Sequence, residues 1–452
     1  MISEDSHWQI DIYGGSPRRA VTRANRGIGM ANSNGIDGNG RRRVVITGMG
    51  TINPLGHTVD AFWQAAVAGT SGVGPLTQVD STAYDVHIAG EVKDFDPEEY
   101  IDRKEARRMA RFSQFALAAA REAFETSGLD ISKEDPYRVG VLFGNGMGGY
   151  PDTDKAVKDI TQKGVRRMDP FYMVKMLPNM AAAQVAMRYG AKGYNATIST
   201  ACASSANAMG EALEMIRHGR ADVMITGGSE AGLSELGLAS FQIMKALSTN
   251  NDPPEGASRP FDAKRDGFVS AEGAGVFIVE ALEHAQRRGA PILAELAGYG
   301  CTSDAHHVVV PVEDGETTAM CMTQALADAG LRAEDVDHIN AHATSTQMND
   351  KYETIAMKRA LGEVAYQIPI SATKSLIGHT LGASAAIESV ACVQAIRTGW
   401  VHPTINQEFP DPDCDLDYVP NVARQVDVKV VLKSSFGFGG QNACLVFRRF
   451  ED

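Results

Sequence analysis

Four short stretches of this chain combine residue types that could do covalent chemistry. The first is Ile198-Ser199-Thr200-Ala201-Cys202-Ala203-Ser204-Ser205, which leads into an apolar helical pattern through Leu213 and Ile216. That pattern puts the Cys202 thiol on a tight turn at a helix start, where the macrodipole and free N–H groups favour thiolate. Small neighbours leave the sulfur open to a substrate. The alternative is a buried, inert cysteine, since free Cys is among the most buried residue types. The second stretch is Asn340-Ala341-His342-Ala343-Thr344-Ser345-Thr346, a histidine among turn and cap formers after a short strand, 336–339. The third, Ser371-Ala372-Thr373-Lys374-Ser375-Leu376-Ile377-Gly378-His379, adds a second histidine and a lysine in an otherwise small and apolar run. Such a lysine is costly to bury unless paired, and Glu353 is the candidate partner. The fourth is Lys433-Ser434-Ser435-Phe436-Gly437-Phe438-Gly439-Gly440, whose glycines can expose N–H groups as oxyanion donors.

Other chemistries fit less well. Gly144-Asn145-Gly146-Met147-Gly148-Gly149 matches G-x-G-x-x-G after a strand, but Tyr150-Pro151-Asp152 is not read as opening the helix that a pyrophosphate needs. His306 and His307 are adjacent and lack a ligand-spaced partner, so no metal site is expected.

These residues need a frame to bring them together. The chain has 452 residues, 44% hydrophobic and 22% charged, as in ordinary globular proteins. Its six cysteines form no close pair, so neither a disulfide framework nor a zinc site is expected, and a reducing cytoplasm fits. No apolar run reaches the roughly 18 residues that span a bilayer. A net charge of −13 argues against nucleic-acid or anionic-membrane binding. Residues 1–42, rich in Gly, Asn, Ser and Arg, read as a disordered leader. An Arg-rich transit peptide is the rival, opposed by Glu4, Asp5 and Asp11, and a start at Met30 is possible.

From Arg43 onward, buried-type strands alternate with amphipathic helices. Strands are expected at 44–48, 139–143, 223–226 and 275–280, and helices at 116–126 and from Cys202 to about Arg217. The same order then recurs. Segment 292–296 echoes the opening strand, 325–331 echoes 123–129, 369–374 stands where 197–202 stood, and 443–447 closes as the first half closed. The expectation is two halves, 43–290 and 291–452, with largely parallel sheets covered on both faces and equivalent loops converging. The extra sequence between Met147 and Pro178 fits a cap, a tunnel wall or an oligomer contact.

The four motifs, in this order, resemble the elongating β-ketoacyl-[acyl-carrier-protein] synthases of the synthase II type, over about Val44 to Phe450. The resemblance implies a thiolase-like duplicated five-layered α/β/α/β/α fold and a homodimer. It implies an acyltransferase that performs a decarboxylative condensation of an acyl thioester with malonyl-[acyl-carrier-protein] in fatty-acid elongation. Cys202 would hold the acyl chain, and the N–H groups of Cys202 and Phe438 would form the oxyanion hole. His342 and His379 would donate to the enolate. Lys374, paired with Glu353, would orient the site. Thr344 and Thr346 match positions that bind the phosphopantetheine arm, Phe438 a gate, and Met147 the end of the acyl pocket near the dimer interface. Lys104, Arg107, Arg108, Arg166, Arg167 and Lys245 are the candidate contacts for acidic acyl carrier protein. The enzyme itself would bind no cofactor, the phosphopantetheine being carried by that substrate. This chain departs from the pattern at Ala343 (usually glycine), Gln347 (commonly proline) and Ser384 (frequently alanine). Rival readings are a ketosynthase of a type II polyketide or specialised lipid pathway, a degradative thiolase, and a non-catalytic chain-length partner subunit.

Overall fold

Nine-residue stretches of wholly buried residues, such as Val44–Ile52 and Gly273–Ala281, must lie inside a sheet covered on both faces. The computed structural model describes residues 35–451 and builds such strands into one ten-stranded sheet system. The first half contributes β1 (Val44–Ile52), β2 (Val139–Gly144), β3 (Asn195–Ile198), β4 (Val223–Glu230) and β5 (Gly273–Ala281). The second contributes β6 (Ala294–Ser303), β7 (His338–Asn340), β8 (Ile370–Ser371), β9 (Val430–Gly437) and β10 (Gln441–Arg448). Their order is β3-β2-β4-β5-β1-β6-β10-β9-β7-β8, so the second half mirrors the first outward from a β1–β6 seam. That seam is narrow, pairing only Val45 with Glu295 and Ile46 with Ala294.

Each half is mixed rather than largely parallel. β2 runs parallel to β3 and β4, and β7 parallel to β8 and β9. The pairs β1/β5, β4/β5, β6/β10 and β9/β10 are antiparallel. The closing strand of each half returns antiparallel beside its neighbour, even in the first half, where the connection includes a helix, α5 (Glu235–Ile243), and the alternation of patterns does not reveal this.

Helices complete five layers. α1 (Arg111–Ser127) and α3 (Met180–Tyr189) cover one outer face, while α6 (Glu316–Asp328) and α7 (Gln347–Leu361) cover the other. Between the sheet halves lie α4 (Ser204–Arg217) and α8 (Ser384–Thr398), whose small residues pack into the central core. The duplication extends to contacts. A Cβ on Gly48 or Gly50 of β1 would lie 2.1 Å from the carbonyls of Ala123 or Ala119 in α1. A Cβ on Gly298 or Gly300 of β6 would lie 2.4 or 2.3 Å from those of Ala325 or Cys321 in α6. Both halves thus need glycine where a helix backbone presses on the first strand.

Two readings of local structure are corrected. Tyr150 does open a helix, α2 (Tyr150–Lys163); Pro151 and Asp152 in its first turn are start signals. It is followed by a turn at Val165–Arg167 and a short helix, Tyr172–Met176. Residues 35–42, read as part of the leader, are held to both halves. Arg41 pairs with Asp328 at 2.5 Å, and Arg42 with Asp222 at 2.8 Å and Glu283 at 2.6 Å. The rest of the expected leader, including Met30, lies outside the described residues. Among the described residues no helix is long and apolar enough to cross a membrane.

Candidate active site

Cys202 lies between β3 and α4 on a turn whose backbone is forced into an uncommon shape. Ala201 takes φ +49°, a left-handed conformation costly for a residue with a Cβ. Local bonds hold it there: Ser204 Oγ accepts from Thr200 N–H at 2.9 Å and donates to the Ala201 carbonyl at 2.6 Å. Asn207 of α4 donates to Thr200 Oγ1 at 2.7 Å and accepts from the Tyr299 hydroxyl at 2.6 Å. The sulfur therefore stands at a fixed point before the helix.

β9 runs toward that turn from the second half. A Cβ on Gly437 would lie 2.5 Å from the Thr200 carbonyl, so only glycine allows the two backbones to approach. This brings the Phe438 amide to the sulfur, which the Phe438 and Cys202 N–H groups both face. The Phe438 side chain is 37% exposed at the cavity rim.

Both predicted histidines converge on the same cavity, of about 380 Å³, lined also by Met147, Thr344, Thr346, Lys245 and Phe268. His379 Nε2 lies 3.0 Å from Cys202 Sγ. The His342 and His379 rings are 5.6 Å apart, near perpendicular. Their tautomers follow from fixed donors. Leu381 N–H donates to His379 Nδ1 at 3.2 Å, with Ser384 Oγ at 2.8 Å from the same nitrogen. Lys374 Nζ lies 3.3 Å from His342 Nδ1 and donates to the His342 carbonyl at 2.7 Å. With Nδ1 accepting in each ring, Nε2 carries the proton. Burial, reinforced by the Lys374 charge, holds both imidazoles well below the usual histidine range, so both are neutral Nε2–H donors.

The partner of Lys374 is not Glu353. Its ammonium lies 2.6 Å from Glu388 Oε1 of α8, both groups being fully buried. Glu353 accepts instead from the N–H groups of His342 at 2.8 Å and Ala343 at 2.7 Å, fixing the loop backbone. Burial raises the Glu353 carboxyl to about 7 despite those bonds. The loop is further clamped by Asp350, which accepts from Ser345 N–H, and by Arg265, which donates to the Thr346 carbonyl at 3.0 Å. Thr344 and Thr346 Oγ1 lie 2.9 Å apart at the cavity wall.

The Cys202 thiol is not acidified. Burial pushes it up to about 11, the largest influence, against the lowering effect of the Lys374 charge and the two N–H groups. The short helix start is thus outweighed by desolvation, and the resting group is the thiol.

The glycine loop beside Cys202 closes on an internal acid, whose carboxyl burial raises to about 7. Buried Glu230, at the end of β4, accepts from the N–H groups of Gly146 at 2.7 Å, Met147 at 3.2 Å and Gly382 at 3.1 Å. This internal carboxyl, which the sequence reading missed, occupies the donors a phosphate would use. It also ties the Met147 loop to the His379 loop.

The basic candidates do not gather at one place. Lys245 stands at the cavity, whereas Lys104, Arg107 and Arg108 line a separate shallow groove with Asp169 and Phe171. Arg108 lies over the Phe171 ring at 5.0 Å. Arg166 and Arg167 are exposed on the turn after α2. Among the described residues no cluster of His, Cys, Asp or Glu has metal-holding geometry.

Comparison with known proteins agrees with this geometry. The β-ketoacyl synthase N-terminal domain matches residues 41–285, and the C-terminal domain residues 293–408. A 3-oxoacyl-[acyl-carrier-protein] synthase 2 of Staphylococcus aureus (strain COL) is 47% identical over 91% of this chain and 99% of its own. That of Coxiella burnetii is also 47% identical, over 91% of this chain and 100% of its own. Among solved structures, a type II polyketide ketosynthase in complex with its acyl carrier protein superposes with a TM-score of 0.84 at 39% identity. It matches 91% of this chain and 100% of its own. A β-ketoacyl synthase from Burkholderia phymatum STM815 gives 0.83 at 36%, matching 90% of this chain and 100% of its own. With a thiol, two neutral imidazoles and a buried lysine set in a duplicated thiolase-like fold, the chain belongs to the β-ketoacyl synthase family.

Proposed function

We propose that this protein elongates acyl chains by decarboxylative condensation with malonyl-[acyl-carrier-protein]. The observation that carries the reading is the pair of neutral Nε2–H imidazoles beside Cys202 Sγ. In the first step Cys202 attacks an acyl thioester, and its proton leaves on the released phosphopantetheine thiol of the carrier. The Cys202 and Phe438 N–H groups would hold the carbonyl oxygen as it gains charge. In the second step the malonyl carboxylate departs as CO2, leaving an enolate whose oxygen receives hydrogen bonds from His342 and His379. The enolate carbon bonds to the acyl carbonyl carbon. The C–S bond breaks, and the Cys202 thiolate takes up a proton.

Lys374 would set the His342 ring through Nδ1, and Glu353 the backbone that carries it. Thr344 and Thr346 would bind the carrier's arm, Phe438 would gate malonyl entry, and Met147 would bound the acyl pocket. The basic side chains named above are the surface offered to the acidic carrier, Lys245 nearest the cavity. A second copy of the chain is the partner we place on the open edge of β3.

A polyketide pathway is the second reading, favoured by the 39% identity to the ketosynthase solved with a hexaketide. An acyl chain-length series comparing wild type with Met147→Ala tests both. Fatty-acid elongation predicts saturated acyl carriers as donors, with longer chains gaining about tenfold in kcat/KM in the variant. Saturated donors that leave no mass increment on Cys202, while polyketide intermediates do, would decide for the second reading.

A further inference from the structure

Lys433 is a buried cation that the reaction as described leaves unused. Its side chain is fully buried on β9, in register with Asn340 of β7. Nζ lies 2.8 Å from Glu388 Oε2, while Oε1 of the same carboxylate takes Lys374. Nζ also donates to the Ser434 carbonyl and to Ser435 Oγ. One carboxylate is therefore bracketed by two ammonium groups. Lys374 alone would balance Glu388, so the second lysine sets a further positive charge against a carboxylate already paired, in an interior where a charge is costly to keep. An apolar side chain at this position would avoid that cost. The charge lies on the strand that continues to Phe438, whose amide faces Cys202, and both imidazoles lie within its field.

We propose that Lys433 is a positioning residue for the decarboxylation step, holding Glu388 and through it Lys374 against His342, where the enolate forms. This rests on the ketosynthase reading. His342 lies against Lys374 and the His379 ring and within the field of Lys433, with Glu353 on its backbone. His379 lies against Cys202 and within the fields of Lys374 and Lys433, with Glu230 on its loop. Removing a positive charge here favours the imidazolium, which forms at higher pH and cannot keep both Nδ1 bonds. The acid limb of decarboxylation therefore moves up in pH.

The test compares wild type, Lys433→Gln and Lys433→Arg in the full chain, reading Cys202 acylation by intact mass and malonyl decarboxylation between pH 5 and 8. Gln keeps a donor toward Glu388 without the charge. It is expected to acylate within about twofold of wild type, to decarboxylate about tenfold slower, and to shift its acid limb up by about one pH unit. Arg, which keeps the charge, is expected to restore the limb. A Gln variant with an unmoved limb, whether its rates match wild type or fall equally in both steps, overturns the proposal. Should the variant not fold, a wild-type acid limb at about 6.5, the ordinary histidine value, overturns it as well. Absence of any acyl increment on wild-type Cys202 sinks the ketosynthase reading instead.

Discussion

Lys374 and Glu388 form a fully buried ion pair at 2.6 Å, while Glu353, the carboxylate nearer to His342 in sequence, accepts from the N–H groups of His342 and Ala343 and meets no cation among the described residues. The two acids therefore fail differently when altered. Glu388→Ala leaves Lys374 and Lys433 unpaired in the core and is expected to cost about 3–5 kcal/mol, read as a lower urea midpoint. Glu353→Gln keeps one acceptor but turns an amide donor toward a backbone N–H, at about 1–3 kcal/mol. Equal midpoints for the two variants would contradict the pairing.

The Cys202 thiol is held at about 11 by burial, so its reactive form is scarce at neutral pH. Deprotonation below that value rises tenfold per pH unit, and the rate of alkylation by iodoacetamide should climb about tenfold per unit from pH 6 to 9 without levelling. A plateau near pH 7 would mean an acidified thiol and a helix-start effect stronger than desolvation.

Ser384 stands where the family pattern often has alanine, and its hydroxyl lies 2.8 Å from His379 Nδ1. Together with Leu381 N–H it fixes Nε2 as the protonated nitrogen. Ser384→Ala leaves the Leu381 bond, so decarboxylation should slow by only about fivefold, one neutral hydrogen bond, with Cys202 acylation unchanged. A loss as large as that of His379→Ala would show that the hydroxyl has a larger part.

How far the sequence reaches is plain from these residues. Cys202, His342, Lys374 and His379 are legible because each breaks the composition around it, and the repeated strand–helix order gives them a way to meet. Glu388 carries a similar signal, as the one acid in the buried helix Ser384–Thr398, and it stands closer to Lys374 in sequence than Glu353 does, so pairing Lys374 with Glu353 overlooks both clues. Lys433, within Val431-Leu432-Lys433-Ser434, is marked in the same way. Glu230 is hidden because its partners are backbone amides from two loops distant in sequence. The resting thiol escapes too, since how far desolvation outweighs a helix start depends on packing that no local pattern records. The strand directions are lost for a related reason: alternation of helix and strand does not say on which side the closing strand returns.

Away from the cavity, His402 shows how burial makes stability depend on pH. Its ring is enclosed near Trp63 and held by Thr373 Oγ1 at 3.0 Å, and burial lowers it from 6.5 to about 4. A histidine depressed in the folded state stays neutral there while the unfolded chain takes up a proton. Its contribution is complete above about pH 6.5 and is lost as pH falls toward 4, by about 3 kcal/mol in all. Glu122, Glu230 and Glu353, raised to about 7, act in the opposite sense: folding keeps their protons, so they lose stability as pH rises from 4.5 to 7. The whole-protein slope is the difference of these effects, and only a paired comparison isolates the histidine. The stability advantage of wild type over His402→Gln in urea should therefore shrink steadily from pH 7 to 4.5. A constant gap would mean that His402 is protonated in the fold, with its network rearranged to accept the charge.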